Sequence, residues 1–298
     1  MTGIQWTDVV WNPTTGCDRV SPGCDHCYAL TMAKRLKGMG QAKYQRDGDP
    51  KTSGPGFGLT VHPDALILPL RWLKPRRIFV NSMSDLFHDD VPDDFIGSVW
   101  DVMARTPRHT YQILTKRHGR MRSLLSRWAD DDWTWRRHDG LWCGPVKGPL
   151  PNVWLGVSAE DQHWADIRVP ALMHTPAAIR FVSAEPLLGP ISLHRGLAWC
   201  PVHDFTGGFC KGPCPDLIVP DWLIIGGESG PGARPMDITW ARDLLNSCQI
   251  AGITPFVKQL GAIAGRALGA GAHGADWEAW PDDLKVREFP RAAEAVAS

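Results

Sequence analysis

Val153-Trp-Leu-Gly-Val157 runs apolar and stops at Ser158-Ala-Glu160; Ile179-Arg-Phe-Val182 does the same and stops at Ser183-Ala-Glu-Pro186. Each is a short, β-branched-rich run that ends abruptly in polar residues and is followed by helix-forming sequence, the signature of one strand of a β/α repeat. Working outward, five more runs share the pattern. Asp8–Trp11 precedes Asn-Pro-Thr-Thr-Gly-Cys17, and Arg77–Val80 precedes Asn81-Ser-Met-Ser-Asp85. Tyr111–Leu114 precedes Thr115-Lys-Arg117, Trp222–Ile225 precedes Gly226-Gly-Glu-Ser229, and Thr254–Val257 precedes Lys258-Gln259. Nearly continuous apolar strands alternating with helices imply an α/β fold, its six to seven parallel strands buried on both faces and its helices outside. Function in such folds collects at the carboxyl ends of the strands. Here those ends carry Asn, Ser, Asp, Thr, Lys, Arg, Glu and Gln, a ring of polar groups around one mouth. Ordinary helix capping explains any one of them, but explains the whole set less well.

A loop after the first run holds Cys17-x6-Cys24-x2-Cys27, with Pro22 and Gly23 turning the chain back. Three thiolates from one loop suit three irons of a 4Fe–4S cluster, the fourth iron staying open for a ligand. Zinc is the alternative: a structural site needs four ligands, His26 is squeezed between two of the cysteines, and a thiolate from elsewhere would have to complete it. Disulfides would leave one of the three unpaired. A second group, Cys200-x2-His203-x6-Cys210-x3-Cys214, lies in a Gly/Pro-rich insertion at about 194–220 and suits a small closed zinc site. An auxiliary cluster that recruits Cys143 in place of His203 is the rival, and unrelated cysteines the plain alternative.

Several segments resemble a phage-associated family of radical-SAM-like three-Cys-motif proteins. They are Trp11-Asn-Pro-Thr-Thr-Gly-Cys17, Val80-Asn-Ser-Met-Ser-Asp-Leu-Phe-His88, Leu114-Thr-Lys-Arg117, Trp154-Leu-Gly-Val-Ser158, Ser183-Ala-Glu-Pro-Leu187, Gly226-Gly-Glu-Ser-Gly230 and Phe256-Val-Lys-Gln-Leu-Gly261. The chain also resembles spore photoproduct lyase, a radical SAM enzyme acting on DNA, at the level of the superfamily alone; the radical SAM superfamily usually spaces its cysteines C-x3-C-x2-C, and the six-residue first gap is a departure. The resemblance implies a partial (β/α) barrel over residues 1–262; the Ala/Gly-rich and then charged stretch 263–298 reads as a peripheral tail. It implies a 4Fe–4S cluster that cleaves S-adenosylmethionine (SAM) so that hydrogen is abstracted from a substrate. Asn81, Ser84 and Asp85 would then meet the SAM amino group, Lys116 or Arg117 its carboxylate or a substrate phosphate, and Ser158 and Glu160 its ribose. Glu185, Glu228, Lys258 and Gln259 would line the substrate side, the first three as candidate catalytic groups. Each has a plainer reading: Glu185 orders the turn before Pro186, or Lys258 pairs with Glu228.

The composition excludes little and directs less. The 298 residues are 43% hydrophobic and 21% charged, with 32 basic against 32 acidic side chains, so any basic surface must be local. No membrane span or signal peptide is visible, and a cytoplasmic location is expected. A local basic patch is expected around Lys116, Arg117, Arg120, Arg122, Arg127, Arg136 and Arg137, with Trp128, Trp133 and Trp135 interleaved to stack on bases. Asp130, Asp131 and Asp132 blunt it. Two readings therefore stand: a radical SAM enzyme acting on a DNA or RNA base or a nucleotide, served by a reductant protein and a partner protein, or a non-catalytic nucleic-acid-binding protein with structural zinc.

Overall fold

The computed structural model describes residues 4–192, 199–200, 205–206 and 218–291, the two short internal pieces by backbone alone. Seven strands form one parallel sheet in sequence order: β1 (Val9–Trp11), β2 (Arg77–Val80), β3 (Thr110–Thr115), β4 (Val153–Ser158), β5 (Ile179–Ala184), β6 (Trp222–Gly226) and β7 (Thr254–Gln259). Helices α1 (Tyr28–Gly38), α2 (Asp93–Arg105), α3 (His118–Asp130), α4 (Gln162–Met173), α5 (Ile238–Ala251) and α6 (Gly261–Ala267) fall between or after them. This is the order of a partial (β/α) barrel, and all seven apolar runs form its strands. Among the described residues, no helix is long and apolar enough to cross a membrane.

By its internal contacts the chain divides into two compact units, Met1–Leu155 with Thr175–Ala178, and Gly156–His174 with Ile179–Ser298. In the first, β1 pairs with β2 from Val9↔Ile78 to Trp11↔Val80, and β2 with β3 from Arg77↔Thr110 to Val80↔Ile113. Ile78, Val80, Tyr111 and Ile113 have no exposed surface, as strands covered on both faces require. Helix α2 begins with Asp93 and Asp94 and ends with Arg105, charges that oppose the helix dipole at both ends. Trp100 stacks edge-on against Trp128 at 5.4 Å, and Trp128 leans on Trp135 at 5.9 Å. These three indoles are a principal part of the unit's core.

In the second unit β5 pairs with β6 and β6 with β7, the latter ladder slipping by one residue at Ile225/Gly226. Trp222, fully buried, is ringed by Phe181, Phe256 and Phe289 at 5.5–5.7 Å. Asp237 caps α5 by accepting from the Thr239 N–H, and Gly252 ends it in the left-handed region. The segment past Gly261 returns along β7: Val257 N donates to Val286 O and Glu288 N to Pro255 O. Arg287 lies over Trp277 and Trp280 there, and donates to the carbonyls of Val257 and Lys258.

Candidate functional site

The loops that leave β1 and β2 are stitched together, and the stitches are the polar residues of both strand ends. Asn81 N donates to Trp11 O, and its side-chain oxygen accepts from Thr14 N. Asn12 Oδ1 accepts from Ser82 Oγ and Met83 N. Ser84 Oγ lies 2.7 Å from Thr14 Oγ1 and donates to Thr14 O at 2.9 Å. Gly16 N then donates to Met83 O. Gly16 sits at φ +90°, and a Cβ there would fall 2.4 Å from Gly58 O, so only glycine fits. On the other side of Cys17, Asp18 accepts from Thr52 Oγ1, Ser53 Oγ and His88 Nε2, while His88 Nδ1 accepts from Asp90 N. Cys17 is thus fixed from both flanks.

Cys24 closes a 3-10 turn, Pro22–Cys24, and Cys27 occupies the N-cap position of α1, with Cys27 N donating to Cys24 O. All three thiols are free and half-buried. Cys17 and Cys27 pack against Ala29, Ala33, Phe57 and Met83. Burial pushes the Cys17 thiol up to about 12; Asp85 adds to the rise and Arg117 opposes it. Burial also raises Cys27, against the N–H groups of Ala29 and Leu30 and the charge of Lys116. Both feel the charge of Cys24. The three sulfurs therefore share one electrostatic neighbourhood with two cations beside it. A bound metal ion removes the penalty, because coordination deprotonates a thiol outright. Among the described residues no three His, Cys, Asp or Glu side chains are drawn to metal-ligating distance.

Beneath this loop lies Asp85, expected from the sequence to meet the SAM amino group. Its carboxylate accepts from Thr115 Oγ1 at 2.7 and 2.9 Å, from Lys116 N at 3.0 Å and from Phe87 N at 3.0 Å. Arg117 Nη1 stands 3.8 Å from the same carboxylate and donates to Cys17 Sγ at 3.5 Å. Arg117 is turned inward, its backbone N–H donating to Thr115 Oγ1. Burial alone would lower its pKa; the charges of Cys17, Asp85 and Asp89 outweigh that and raise it. Two buried polar atoms here have no partner: Arg117 Nε and Asn81 Nδ2.

In the second unit, Ser158 and Glu160 are buried at the end of β4. Arg168 of α4 donates through Nη1 to Glu160 Oε2 and to Ser158 O, both at 2.9 Å. Glu185 and Lys258, at the ends of β5 and β7, pair at 2.5 Å with 17% and 18% of their side chains exposed. Gln259 donates to Gly227 O at 3.0 Å and reaches Glu185 at 3.4 Å. Glu228 is clamped by Arg234, whose backbone N, Nε and Nη2 all donate to it. The Lys258–Glu228 pair suggested by sequence is therefore replaced by Lys258–Glu185 and Arg234–Glu228. Arg168, Arg234 and the Asp18–His88 pair escaped the sequence reading. The two arginines lie outside the strand-end pattern, and no local motif marks them.

The expected stacking surface does not form. Trp128, Trp133 and Trp135 are buried at 8%, 7% and 1% exposure. Arg120 and Arg127 converge on Asp93 at 2.7 Å each, and Arg137 pairs with Asp101 and Asp139. Amphipathic packing took the indoles, and neighbouring acids took the charges of Arg120, Arg127 and Arg137, while Arg122 and Arg136 are exposed. Cys143 donates to Asp101 at 3.4 Å. The second cysteine group, Cys200, His203, Cys210 and Cys214, lies outside the residues whose side chains are described. Phe57, which packs on Cys17 and Cys27, also lines a cleft of about 540 Å³ shared with Asp18, Arg46, Asp47, Ser53 and Asp90. A second cleft, of about 630 Å³, opens at the amino end of β7 beside Arg242, Cys248 and Asp283, at the opposite end of that strand from Lys258 and Gln259.

The family model described as "Protein of unknown function (DUF5131)" matches residues 1–282, and the chain belongs to that family. No curated protein and no solved structure matches it.

Proposed function

We propose that the chain holds a 4Fe–4S cluster through Cys17, Cys24 and Cys27 and is a radical SAM enzyme whose substrate is a nucleic-acid base or a nucleotide. The observation that carries this reading is the three free thiols in one electrostatic neighbourhood, with Lys116 and Arg117 beside them, after the first strand of a partial (β/α) barrel. The donor set fits the group. Three thiolates and no carboxylate suit iron and sulfide, and the two cations offset the negative charge that a thiolate-bound cluster carries. Two orphaned N–H donors, on Asn81 and Arg117, fit polar contact at the same place. Such a cluster, when bound, supplies the electron that cleaves SAM and so generates the species that abstracts hydrogen.

The chain's own residues would bind, orient and shield. Asn81 has an open amide N–H for a polar ligand atom, and Lys116 brings positive charge for a carboxylate. Ser84 and Asp85 hold the cysteine loop and the β3 turn, which makes them supports of the site. Ser158 and Glu160 are held by Arg168 in the same supporting way. Among the expected catalytic groups, Glu185 and Lys258 form a partly exposed acid–base pair able to hold or move a substrate proton, whereas Glu228 is fully engaged by Arg234. An anionic substrate or partner is favoured by Arg19, Lys34, Arg35 and Lys51, exposed cations from the segment that bears the cysteines. A reductant protein would supply the electron, and the Cys/His-rich insertion would take zinc or a second cluster.

The test is anaerobic purification with iron, sulfide and zinc analysis of the wild type and a Cys17→Ala/Cys24→Ala/Cys27→Ala triple variant. About four irons with sulfide, lost in the variant, are expected. SAM and a reductant should then yield 5′-deoxyadenosine. A colourless protein that carries zinc alone would refute the reading and favour a zinc-stabilised binding protein.

A further inference from the structure

We infer that Arg117 sets the reduction potential of the group held by Cys17, and that Asp85 is the positioning residue that aims it. The inference rests on the cluster reading above and goes one residue deeper. Arg117 Nη1 donates to Cys17 Sγ at 3.5 Å from a side chain only 9% exposed. Its second anchor is Asp85, 3.8 Å away, and Asp85 is itself fixed by Thr115 Oγ1 and Lys116 N. The backbone N–H of Arg117 closes the same ring onto Thr115. A guanidinium with this much support is held at the sulfur; it does not sample solvent as a surface arginine does. Its Nε remains an open donor pointing into the same buried region.

The electrostatic sign follows directly. Reduction adds one electron, taken from a donor such as dithionite, and the added charge spreads onto the ligating sulfurs. No bond breaks, and Arg117 keeps its proton. A desolvated cation hydrogen-bonded to one sulfur stabilises the reduced form more than the oxidised form, and the potential rises. Lys116 acts on Cys27 in the same sense.

The experiment is an EPR-monitored redox titration of the anaerobically reconstituted full chain, each protein first assayed for iron and sulfide and checked by circular dichroism. Arg117→Gln should load as the wild type does and be about tenfold harder to reduce, a shift of about 59 mV toward negative potential for a one-electron couple. An unchanged midpoint at full loading overturns the proposal. Should Arg117→Gln fail to load, Arg117→Lys carries the test: its unforked ammonium should lower the midpoint by a smaller amount, and no change there overturns it equally. Asp85→Asn separates positioning from charge. Removing an anion by itself raises the potential, whereas releasing Arg117 lowers it, so a fall is expected and a rise refutes the positioning role. Wild-type protein that binds no iron and sulfide defeats the cluster reading itself, a failure the iron assay distinguishes from an unmoved potential.

Discussion

Replacing Glu160 by Gln decides whether that carboxylate belongs to the fold or to a ligand. Glu160 and Arg168 are both without exposed surface, and Arg168 Nη1 is shared between Glu160 Oε2 and Ser158 O. The guanidinium also lies 4.1 Å over the Trp164 ring, and its Nε and Nη2 have no partner. Glu160→Gln leaves that buried cation with a carbonyl and an indole face and no facing anion. Breaking a buried pair from one side costs about 3–5 kcal/mol. Against a typical stability of about 5–15 kcal/mol, that is a large share. In urea, with a slope of about 3 kcal/mol per molar, the midpoint should fall by roughly 1–1.7 M at unchanged slope. The double variant Glu160→Gln/Arg168→Met removes both charges and should lie closer to the wild type than the single variant does, giving a coupling energy by the double-mutant cycle. A single variant with an unchanged midpoint would refute the reasoning and return Glu160 to the ligand contacts.

Three further outcomes test other parts of the argument. Trp128→Ala should cost about 3–5 kcal/mol, because Trp128 fills the space between Trp100 and Trp135, and should leave retention on nucleic acid at low salt unchanged; weakened retention at full folding would restore the stacking surface. Gly16→Ala should strain the cysteine loop by about 1–3 kcal/mol and reduce iron loading, read by iron analysis, since a Cβ meets Gly58 O at 2.4 Å; full loading would show that the loop can move aside. Asp93 is the pH test. Burial alone would raise its pKa, and the hydrogen bonds and charges of Arg120 and Arg127 outweigh that and lower it. A lowered carboxylate stabilises the fold above its unfolded pKa of about 3.9, and the stability is lost as pH falls through the folded value. Melting temperature should therefore drop less steeply below about pH 4 in Asp93→Asn than in the wild type, and equal slopes would remove Asp93 from the account.

The strands were legible because each depends on a local signal: an apolar run such as Arg77–Val80 or Trp222–Ile225 that ends at a polar residue. The cysteine loop was legible for the same reason, being one loop after one strand. What a strand-end residue does was not legible, because that depends on where its partner lies. Asp85 is engaged by Thr115 and Lys116 from the next strand, and Glu185 by Lys258, far along the chain. Glu160 and Glu228 find arginines only eight and six residues on, but those arginines sit on a helix and in a loop whose placement no periodicity reveals. The tryptophans failed for a related reason. A segment rich in Arg and Trp reads alike whether its indoles face solvent or the core, and α3 turns Trp128 inward onto Trp100. The polar strand ends thus divide by whether the fold already occupies them. Ser84, Asp85, Glu160 and Glu228 are occupied by the fold's own donors. The groups left with exposure or an open atom, among them Cys17, Cys24, Cys27, Asn81, Arg117, Glu185 and Lys258, are where chemistry should be sought.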